Sequence, residues 1–256
     1  MEHSSLAVTM PRTRNLFDPK SKEPYKLSRS RLDRFLKCPC CFYMDRRLGV
    51  DQVSGPAFTL NSATDTLLKK EFDVCRAKGI PHPLMKKHKM NAIPFKHPDI
   101  DVWRENFRGV QHLHKPTNLL ITGAVDDVWV DPKGNLSVVD YKSTSTTKEI
   151  DLNDGTPWKD GYKRQMEIYQ WLLRQNGFKV NNVGYFVYVN ADTDQNAFDG
   201  KLVFDEEIIV HKGDDSWVEK AIIDAHKCLL KKKAPKASRD CAWCSYRADA
   251  SEVLGA

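Results

Sequence analysis

Apolar side chains recur at the three- and four-residue spacing of amphipathic helices in four stretches of the chain. The first begins within LSRSRLDRFLKC, where Leu32, Phe35 and Leu36 share one face. The other three predicted helices span residues 58–78, 162–177 and 216–233. In the helix over 58–78, the apolar face is predicted to consist of Leu60, Ala63, Leu67 and Val74.

Short β-rich runs lie between these helices. LLITGAVDDVWV and LSVVDYKS are joined by DPKGN, a turn with Pro and Gly in suitable places, so they predict a hairpin. VGYFVYV and GKLVFDEEIIV predict two further strands. The order helix, hairpin, helix, strand predicts an α/β fold in which a central mixed sheet is flanked by helices.

Prolines are frequent before the hairpin, and they predict a Pro-rich insertion at about 80–117 with little regular structure apart from a helix near DIDVWRENF. We expect a single domain over 27–256. It would follow a basic N-terminal tail, 1–26, for which disorder is one interpretation.

Composition narrows the class of protein. The chain has 256 residues, 41% of them hydrophobic and 29% charged, which is typical of a soluble globular protein with a full core. No apolar run approaches the ~20 residues of a membrane span, and the N-terminus lacks a secretory signal. We therefore expect a cytoplasmic protein with reduced thiols.

The net charge of +6 is concentrated near the N-terminus. Residues 1–50 hold eleven Lys and Arg against five Asp and Glu, whereas the other 206 residues hold 29 of each sign. A local cationic excess is typical of a surface that binds a polyanion. Five arginines are predicted to contact the phosphates of a nucleic acid: Arg29, Arg31, Arg34, Arg46 and Arg47.

The pattern D-x-K occurs four times, and its setting singles out one copy. The copies at 18–20, 131–133 and 199–201 lie in the basic tail or in turns, whereas Asp140 and Lys142 end a β-rich run. A strand-end ion pair is the structural interpretation of this tripeptide. The functional interpretation depends on a second carboxylate.

Asp126 supplies that second carboxylate. Strand alternation places Asp140 on one face with Val138, and Asp126 on one face with Val128. Ionised carboxylates in such half-buried settings need a partner or a cation. Carboxylate oxygens suit Mg²⁺ or Mn²⁺, so the hairpin predicts a divalent-cation site.

The segment GAVDDVWVDPKGNLSVVDYKST resembles the core of PD-(D/E)xK nucleases of the RecB-like branch, in which a G-x-x-D strand precedes a D-x-K strand. The helix YKRQMEIY matches the Q-x-x-x-Y pattern of that branch with Gln165 and Tyr169. The resemblance implies a restriction-endonuclease-like fold with Asp126 and Asp140 as metal ligands. Lys142 would orient the attacking water or stabilise phosphate charge, and Gln165 and Tyr169 would support the substrate and Lys142.

Two positions depart from the family pattern. Val125 stands where the family name has Pro. On the preceding helix, where many members place a His or Glu near the metal, Asp65 is the nearest candidate ligand. A solvent-facing helix residue is the alternative for Asp65.

Four of the seven cysteines form two C-x-x-C pairs, Cys38 with Cys41 and Cys241 with Cys244. Two such pairs can hold zinc or an iron–sulfur cluster. The RecB-like branch includes CRISPR-associated adaptation nucleases and AddB-type nucleases with a 4Fe–4S cluster. They carry one cysteine before the core and C-x₂-C-x₅-C after it. Here the last position is Ala250, and Cys41 stands in from the other end. The two C-x-x-C pairs alone favour zinc, whereas the resemblance, with CP before the core and C-x-x-C-x-Y after it, favours a 4Fe–4S cluster.

Together these features predict a divalent-metal-dependent DNA nuclease in repair, recombination or defence. An exonuclease acting on single strands or DNA ends is the favoured form. The alternatives are an inactive nucleic-acid-binding module with the same fold and a zinc-stabilised interaction protein.

Overall fold

A computed structural model describes residues 11–53, 55 and 58–255. The helices in these ranges are α1 Arg29–Lys37, α2 Pro39–Leu48, α3 Thr59–Lys78, α4 Pro83–Lys87, α5 Ile100–Arg104, α6 Pro157–Gln175, α7 Val218–Leu229 and α8 Ala242–Leu254. The strands are β1 Tyr25–Ser28, β2 Ile93–Pro94, β3 Val110–His114, β4 Leu119–Gly123, β5 Asp127–Val130, β6 Leu136–Thr144, β7 Val183–Ala191 and β8 Phe204–Lys212.

The strands form two sheets. The larger has the order β2-β5-β6-β7-β8, in which β6 and β7 are parallel and the other pairs antiparallel. The smaller has the order β1-β4-β3. Side chains alternate across β6, so Val138 faces the core cluster that contains α6, whereas Val139 faces a second cluster under α3. The predicted α/β class with a mixed sheet flanked by helices is confirmed.

The predicted hairpin is present as β5 and β6, with the turn DPKGN between them. Its first strand was predicted too long. The chain leaves the smaller sheet after Gly123 and joins the larger at Asp127, so Ala124 to Asp126 bridge the two sheets. Asp126 therefore lies in a bend and not within a strand.

Two helical predictions need correction. The first helix is two helices, because α1 ends at Lys37 and Pro39 opens α2. In α3 the predicted apolar face, with Leu60, Ala63, Leu67 and Val74, is exposed. The buried face carries Phe72, whose ring stacks 5.5 Å from that of Trp129 in β5. The helix has two apolar stripes, and the one with the aromatic ring packs on the sheet.

The proline-rich region and the described part of the tail carry more structure than their composition predicts. Residues 80–117 contain α4, β2, α5 and β3. Residues 1–10 of the predicted tail lie outside the described residues. Beyond them, Phe17 is buried in the main core and Arg12 pairs with Asp45. No helix in the described ranges is long and apolar enough to cross a membrane.

Candidate active site

Asp140 lies at the centre of the predicted site. It is on β6, its side chain is fully buried, and its Oδ1 accepts a hydrogen bond of 2.7 Å from Nε2 of Gln165 on α6. Its Oδ2 forms an ion pair with the Lys142 ammonium, although that contact lacks hydrogen-bond geometry. The structure therefore brings together three of the predicted residues, and Gln165 supports Asp140 and not Lys142.

Asp126 lies close enough to Asp140 to influence its charge. Its Oδ2 accepts a hydrogen bond of 2.9 Å from the backbone N–H of Tyr141, which fixes the carboxylate beside β6. Burial raises the pKa of Asp140 to about 7, with Asp126 adding to the rise and Lys142 opposing it. Two carboxylates in this setting favour a bound cation, since a cation relieves both the burial and the repulsion.

Lys142 is held between the carboxylates and an aromatic ring. Its Nζ lies 4.3 Å from the ring centroid of Tyr162 on α6. Burial would lower the pKa of Lys142, but the Asp140 and Asp126 carboxylates outweigh burial and raise it. The side chain is therefore a fixed positive charge at the edge of the carboxylate pair.

Asp65 on α3 reaches this pair through Lys69. The Lys69 ammonium lies 2.8 Å from Asp65 Oδ2 and 3.6 Å from Asp126 Oδ1. Burial raises the pKa of Asp65, and Asp126 adds to the rise. Among the described residues, however, the four cysteines are the only close group of three or more metal-ligating side chains. Asp126 thus lies with Asp140, whereas the Lys69 ammonium lies between Asp65 and Asp126.

Lys69 is a site residue that the sequence reasoning missed. The feature of the sequence that could have indicated Lys69 is its position four residues after Asp65, which places both side chains on one helix face. That spacing is common on solvent-exposed helices, and only the packing of α3 on the sheet brings Lys69 to Asp126.

Tyr169 packs against the strand that precedes Asp126. A Cβ added to Gly123 would lie 2.5 Å from Tyr169 Cε1, so only glycine permits this approach. The Tyr169 hydroxyl accepts a hydrogen bond of 3.2 Å from Gln165 Nε2, and the Arg29 guanidinium lies 5.9 Å from the ring centroid. This contact explains the Gly of the G-x-x-D pattern. It also brings Arg29 of α1 to the site.

Asp127, the neighbour of Asp126, forms a buried network beneath the site. It accepts hydrogen bonds from Arg76 at 2.5 Å, from Arg104 at 3.1 Å and from the Tyr141 hydroxyl at 2.8 Å. Arg104 also donates to the backbone carbonyl of Asp126 at 3.1 Å. The network fixes the bend that carries Asp126.

The other predicted phosphate-binding arginines have internal partners. Arg31 and Arg34 lie 2.8 and 3.2 Å from the buried carboxylate of Asp45, and Arg46 pairs with it as well. Arg47 donates to the backbone carbonyl of Phe17 at 2.6 Å. Their contact with phosphates stays a prediction, and the structure gives them a role in joining α1, α2 and the N-terminal segment.

Loss of charge at Asp45 is expected to destabilise the protein strongly. Asp45→Asn keeps the shape of the side chain but removes the counter-charge of the buried Arg46 and weakens the pairing of the partly buried Arg12, Arg31 and Arg34. We expect a cost of about 3–5 kcal/mol in the free energy of unfolding. The matched control is Asp51→Asn, because Asp51 pairs with the same Arg31 and Arg34 from a partly exposed position. It should cost less than about 1 kcal/mol. Equal losses in urea unfolding would contradict this role for Asp45.

The four predicted cysteines form one cluster. Their ligand atoms all lie within 4.8 Å of one another, with Cys41 Sγ 3.5 Å from both Cys241 Sγ and Cys244 Sγ. Cys38 and Cys41 flank the start of α2, and the other pair opens α8. Cys40, adjacent to Cys41, lies outside the group.

The cysteine cluster is electrostatically suited to a cation. Burial opposes ionisation of Cys38, but hydrogen bonds from the backbone of Ser238 and Cys41 outweigh it and lower its pKa to about 6. Arg247 on α8 lies 3.3 Å from Cys244 Sγ. These contacts favour the thiolate form of Cys38, and thiolates are the form that binds metal.

Residues 59–248, about three quarters of the chain, match the sequence model of the PD-(D/E)XK nuclease superfamily. A protein from Eubacterium rectale, described as a candidate exonuclease, has a similar crystal structure at 15% identity and a TM-score of 0.43, covering 86% of this chain and 87% of that one. The crystal structure of SSO0001 is similar at 17% identity and a TM-score of 0.42, covering 89% and 86%. No curated protein matches the chain. On the family match, the chain belongs to the PD-(D/E)XK nuclease superfamily.

Proposed function

We propose that this protein is a divalent-metal-dependent DNA nuclease that hydrolyses phosphodiester bonds. The observation that carries the proposal is the fully buried Asp140 carboxylate, which faces Asp126 and contacts Lys142 and Gln165. A binding module without catalysis has no need of a fully buried carboxylate beside a second, partly buried one, whose charges require neutralisation.

Asp126 and Asp140 would hold the metal, because they offer the hard oxygen ligands that Mg²⁺ and Mn²⁺ prefer. When bound, such an ion lowers the pKa of a water molecule and stabilises negative charge on a phosphate. Asp65 is a further ligand in this proposal only if Lys69 leaves its carboxylate, since the two are 2.8 Å apart.

The remaining residues of the site would act directly on the substrate or position the carboxylates. Lys142, fixed against Tyr162, is suited to orient the attacking water or to stabilise charge on the phosphate. Gln165 holds Asp140 in place through its 2.7 Å hydrogen bond. Arg29 beside Tyr169 is the predicted phosphate-binding arginine that lies nearest these residues.

The RecB-like branch is proposed on the Q-x-x-x-Y helix. Gln165 and Tyr169 contact each other and lie against Asp140 and Gly123, so both halves of the pattern have a place in the site. By resemblance to that branch, the substrate is proposed to be single-stranded DNA or DNA ends, and the process repair, recombination or defence.

The cysteine cluster is proposed to hold a structural metal, and its spacing supports zinc. Zinc–sulfur bonds of about 2.3 Å in a tetrahedron place sulfur atoms about 3.8 Å apart. Three of the separations between cysteine sulfurs are 3.5 to 3.7 Å, close to that value, and all four sulfurs lie within 4.8 Å of one another. A 4Fe–4S cluster, which the family resemblance favours, binds each thiolate to a different iron atom and needs wider spacing. Elemental analysis after anaerobic purification separates the two.

Digestion of end-labelled DNA tests the nuclease proposal. With Mg²⁺ or Mn²⁺ we expect shortening of labelled single- or double-stranded DNA, and no shortening after chelation of the ion. Calorimetric titration with Mn²⁺ should also detect binding that Asp126→Asn weakens, whereas neither the inactive module nor the zinc-stabilised interaction protein needs an ion there. Intact DNA under all conditions would reject catalysis.

A further inference from the structure

A cavity of about 650 Å³ opens beside Lys142, and nothing in the catalytic assignment uses it. It is bounded by the end of β6, the segment 145–156 and the start of α6. Lys142 lines the cavity, so the cavity is continuous with the site proposed for cleavage. Three aromatic side chains also line it: Trp158, Tyr162 and Tyr188.

Trp158 is the exposed member of this aromatic group. Its side chain is 53% exposed although it is the second residue of α6. Its ring meets that of Tyr162 edge to face at 5.2 Å, and Tyr162 in turn contacts Lys142. The ring of Tyr162 therefore separates Trp158 from Lys142, the proposed catalytic lysine. An exposed tryptophan held in position at the edge of a cavity is a stacking surface for a planar ligand.

Tyr188 also lines the cavity, and its hydroxyl is unpaired among the described residues. It pairs with Lys142 in the parallel ladder of β6 and β7 and is 3% exposed. Within the described part of the chain, its buried hydroxyl has no hydrogen-bond partner. Burial raises the pKa of Tyr188, so the hydroxyl keeps its proton and can donate. A buried polar atom without a partner is costly unless a ligand or water completes it.

The charges of the cavity favour a base over a phosphate. Lys159 donates to the backbone carbonyl of Asp151 at 2.6 Å and to Asp154 at 2.7 Å, so its charge is compensated. Lys148 lines the cavity together with Glu149. Two of the three lysines that line the cavity, Lys142 and Lys159, are paired with carboxylates, which leaves the aromatic rings as the main source of affinity for a ligand. Base stacking on aromatic side chains requires an unpaired base, because duplex bases already stack on each other.

The cavity wall is held in place before any ligand binds. Leu152 is buried in the main core, and the Lys159 contacts fasten Asp151 and Asp154 to α6. Asn190 of β7 both donates to and accepts from the backbone of Thr146 at 2.9 Å. A wall that is already ordered loses little conformational entropy on binding, which suits a specific subsite.

We propose that this cavity binds an unpaired base of single-stranded DNA next to the scissile phosphate, with Trp158 as its stacking surface and the Tyr188 hydroxyl as a hydrogen-bond donor. The inference rests on the proposed nuclease function. It adds a reason for selecting single strands that the carboxylates and Lys142 do not provide, because those groups meet the backbone and not the bases.

Binding in the absence of cleavage tests the inference. In an Asp140→Asn background, fluorescence anisotropy would compare an oligothymidylate of roughly ten nucleotides with a blunt duplex of the same length. Trp158→Ala and Trp158→Leu should each weaken single-strand binding about tenfold and leave duplex binding unchanged, since leucine keeps apolar bulk but has no aromatic face. Trp158→Phe should retain most of the affinity.

Several results would overturn the subsite. They are unchanged single-strand affinity in Trp158→Ala, equal losses for single strand and duplex, or no single-strand binding by the Asp140→Asn parent. Thermal unfolding verifies that each variant is folded. If Trp158→Ala is not folded, the single-strand affinities of Trp158→Leu and Trp158→Phe are compared instead. Failure of the nuclease proposal is a separate result, because it would appear as intact DNA with the wild-type protein and a metal ion.

Discussion

Asp140→Asn is expected to abolish DNA cleavage while the protein stays folded. The asparagine carbonyl can still accept the hydrogen bond from Gln165, so the local packing is kept. The amide nitrogen, however, faces the Lys142 ammonium in place of a carboxylate oxygen, and a metal ligand is lost. Removing one preorganised electrostatic group costs about 10²–10³ in rate, and we expect a loss at the upper end or beyond. The measurement is the rate of shortening of end-labelled DNA with Mg²⁺ or Mn²⁺.

The matched control uses another copy of the same tripeptide pattern. Asp199 precedes Lys201 in a turn, is exposed, and has a φ of 43° that asparagine tolerates. Asp199→Asn should therefore cleave at the wild-type rate. Wild-type cleavage by Asp140→Asn would show that catalysis lies elsewhere. Loss of cleavage in both variants would point to a general effect of carboxylate removal.

The parts of the candidate site that follow local periodicity could be predicted from the sequence. Asp140 and Lys142 share a face because strand side chains alternate, and Gln165 and Tyr169 share a face because they are four residues apart on a helix. These relations need no knowledge of the fold. The hydrogen bond between Gln165 and Asp140 also requires that α6 packs on the sheet. That packing was predicted from the family pattern.

Asp126 lies beside Asp140, but strand alternation is not the reason. Strand alternation assumed one continuous strand through Gly123 and Asp127, whereas the chain passes between two sheets there. The Asp126 carboxylate is oriented by the N–H of Tyr141 and by Arg104 on its own carbonyl. Such a bend depends on long-range contacts, so it cannot be predicted from a sequence segment of high β-propensity.

Charge counts and apolar spacing are ambiguous predictors where a residue's contact partner is distant in the sequence. The excess of arginines near the N-terminus predicted an external polyanion, yet Asp45 and Asp51 neutralise several of them within the fold. Formal charge counts cannot separate these cases, because they contain no distances. The two apolar stripes of α3 show the same ambiguity. Phe72 and Leu67 are both apolar, and Phe72 is the one that packs on the sheet, against Trp129.

Cys241→Ser is expected to lower stability sharply and to release α8. Among the residues of α8, Cys244 alone is buried, so this helix is joined to the domain mainly through the cysteine cluster. The cluster also ties it to the junction of α1 and α2, about 200 residues earlier in the chain. Metal-binding energy at such sites is folding energy. A loss of about 3 kcal/mol at this size lowers the unfolding midpoint by roughly 6–12 °C.

Cys40→Ser is the matched control, because Cys40 is adjacent to Cys41 but lies outside the cluster. It should retain the metal content and the unfolding midpoint of the wild-type protein. In Cys241→Ser we expect reduced metal by elemental analysis together with faster proteolytic cleavage between α7 and α8. If the two variants have the same metal content and the same midpoint, the four thiols are neighbours without a shared ion, and α8 is held by its other contacts.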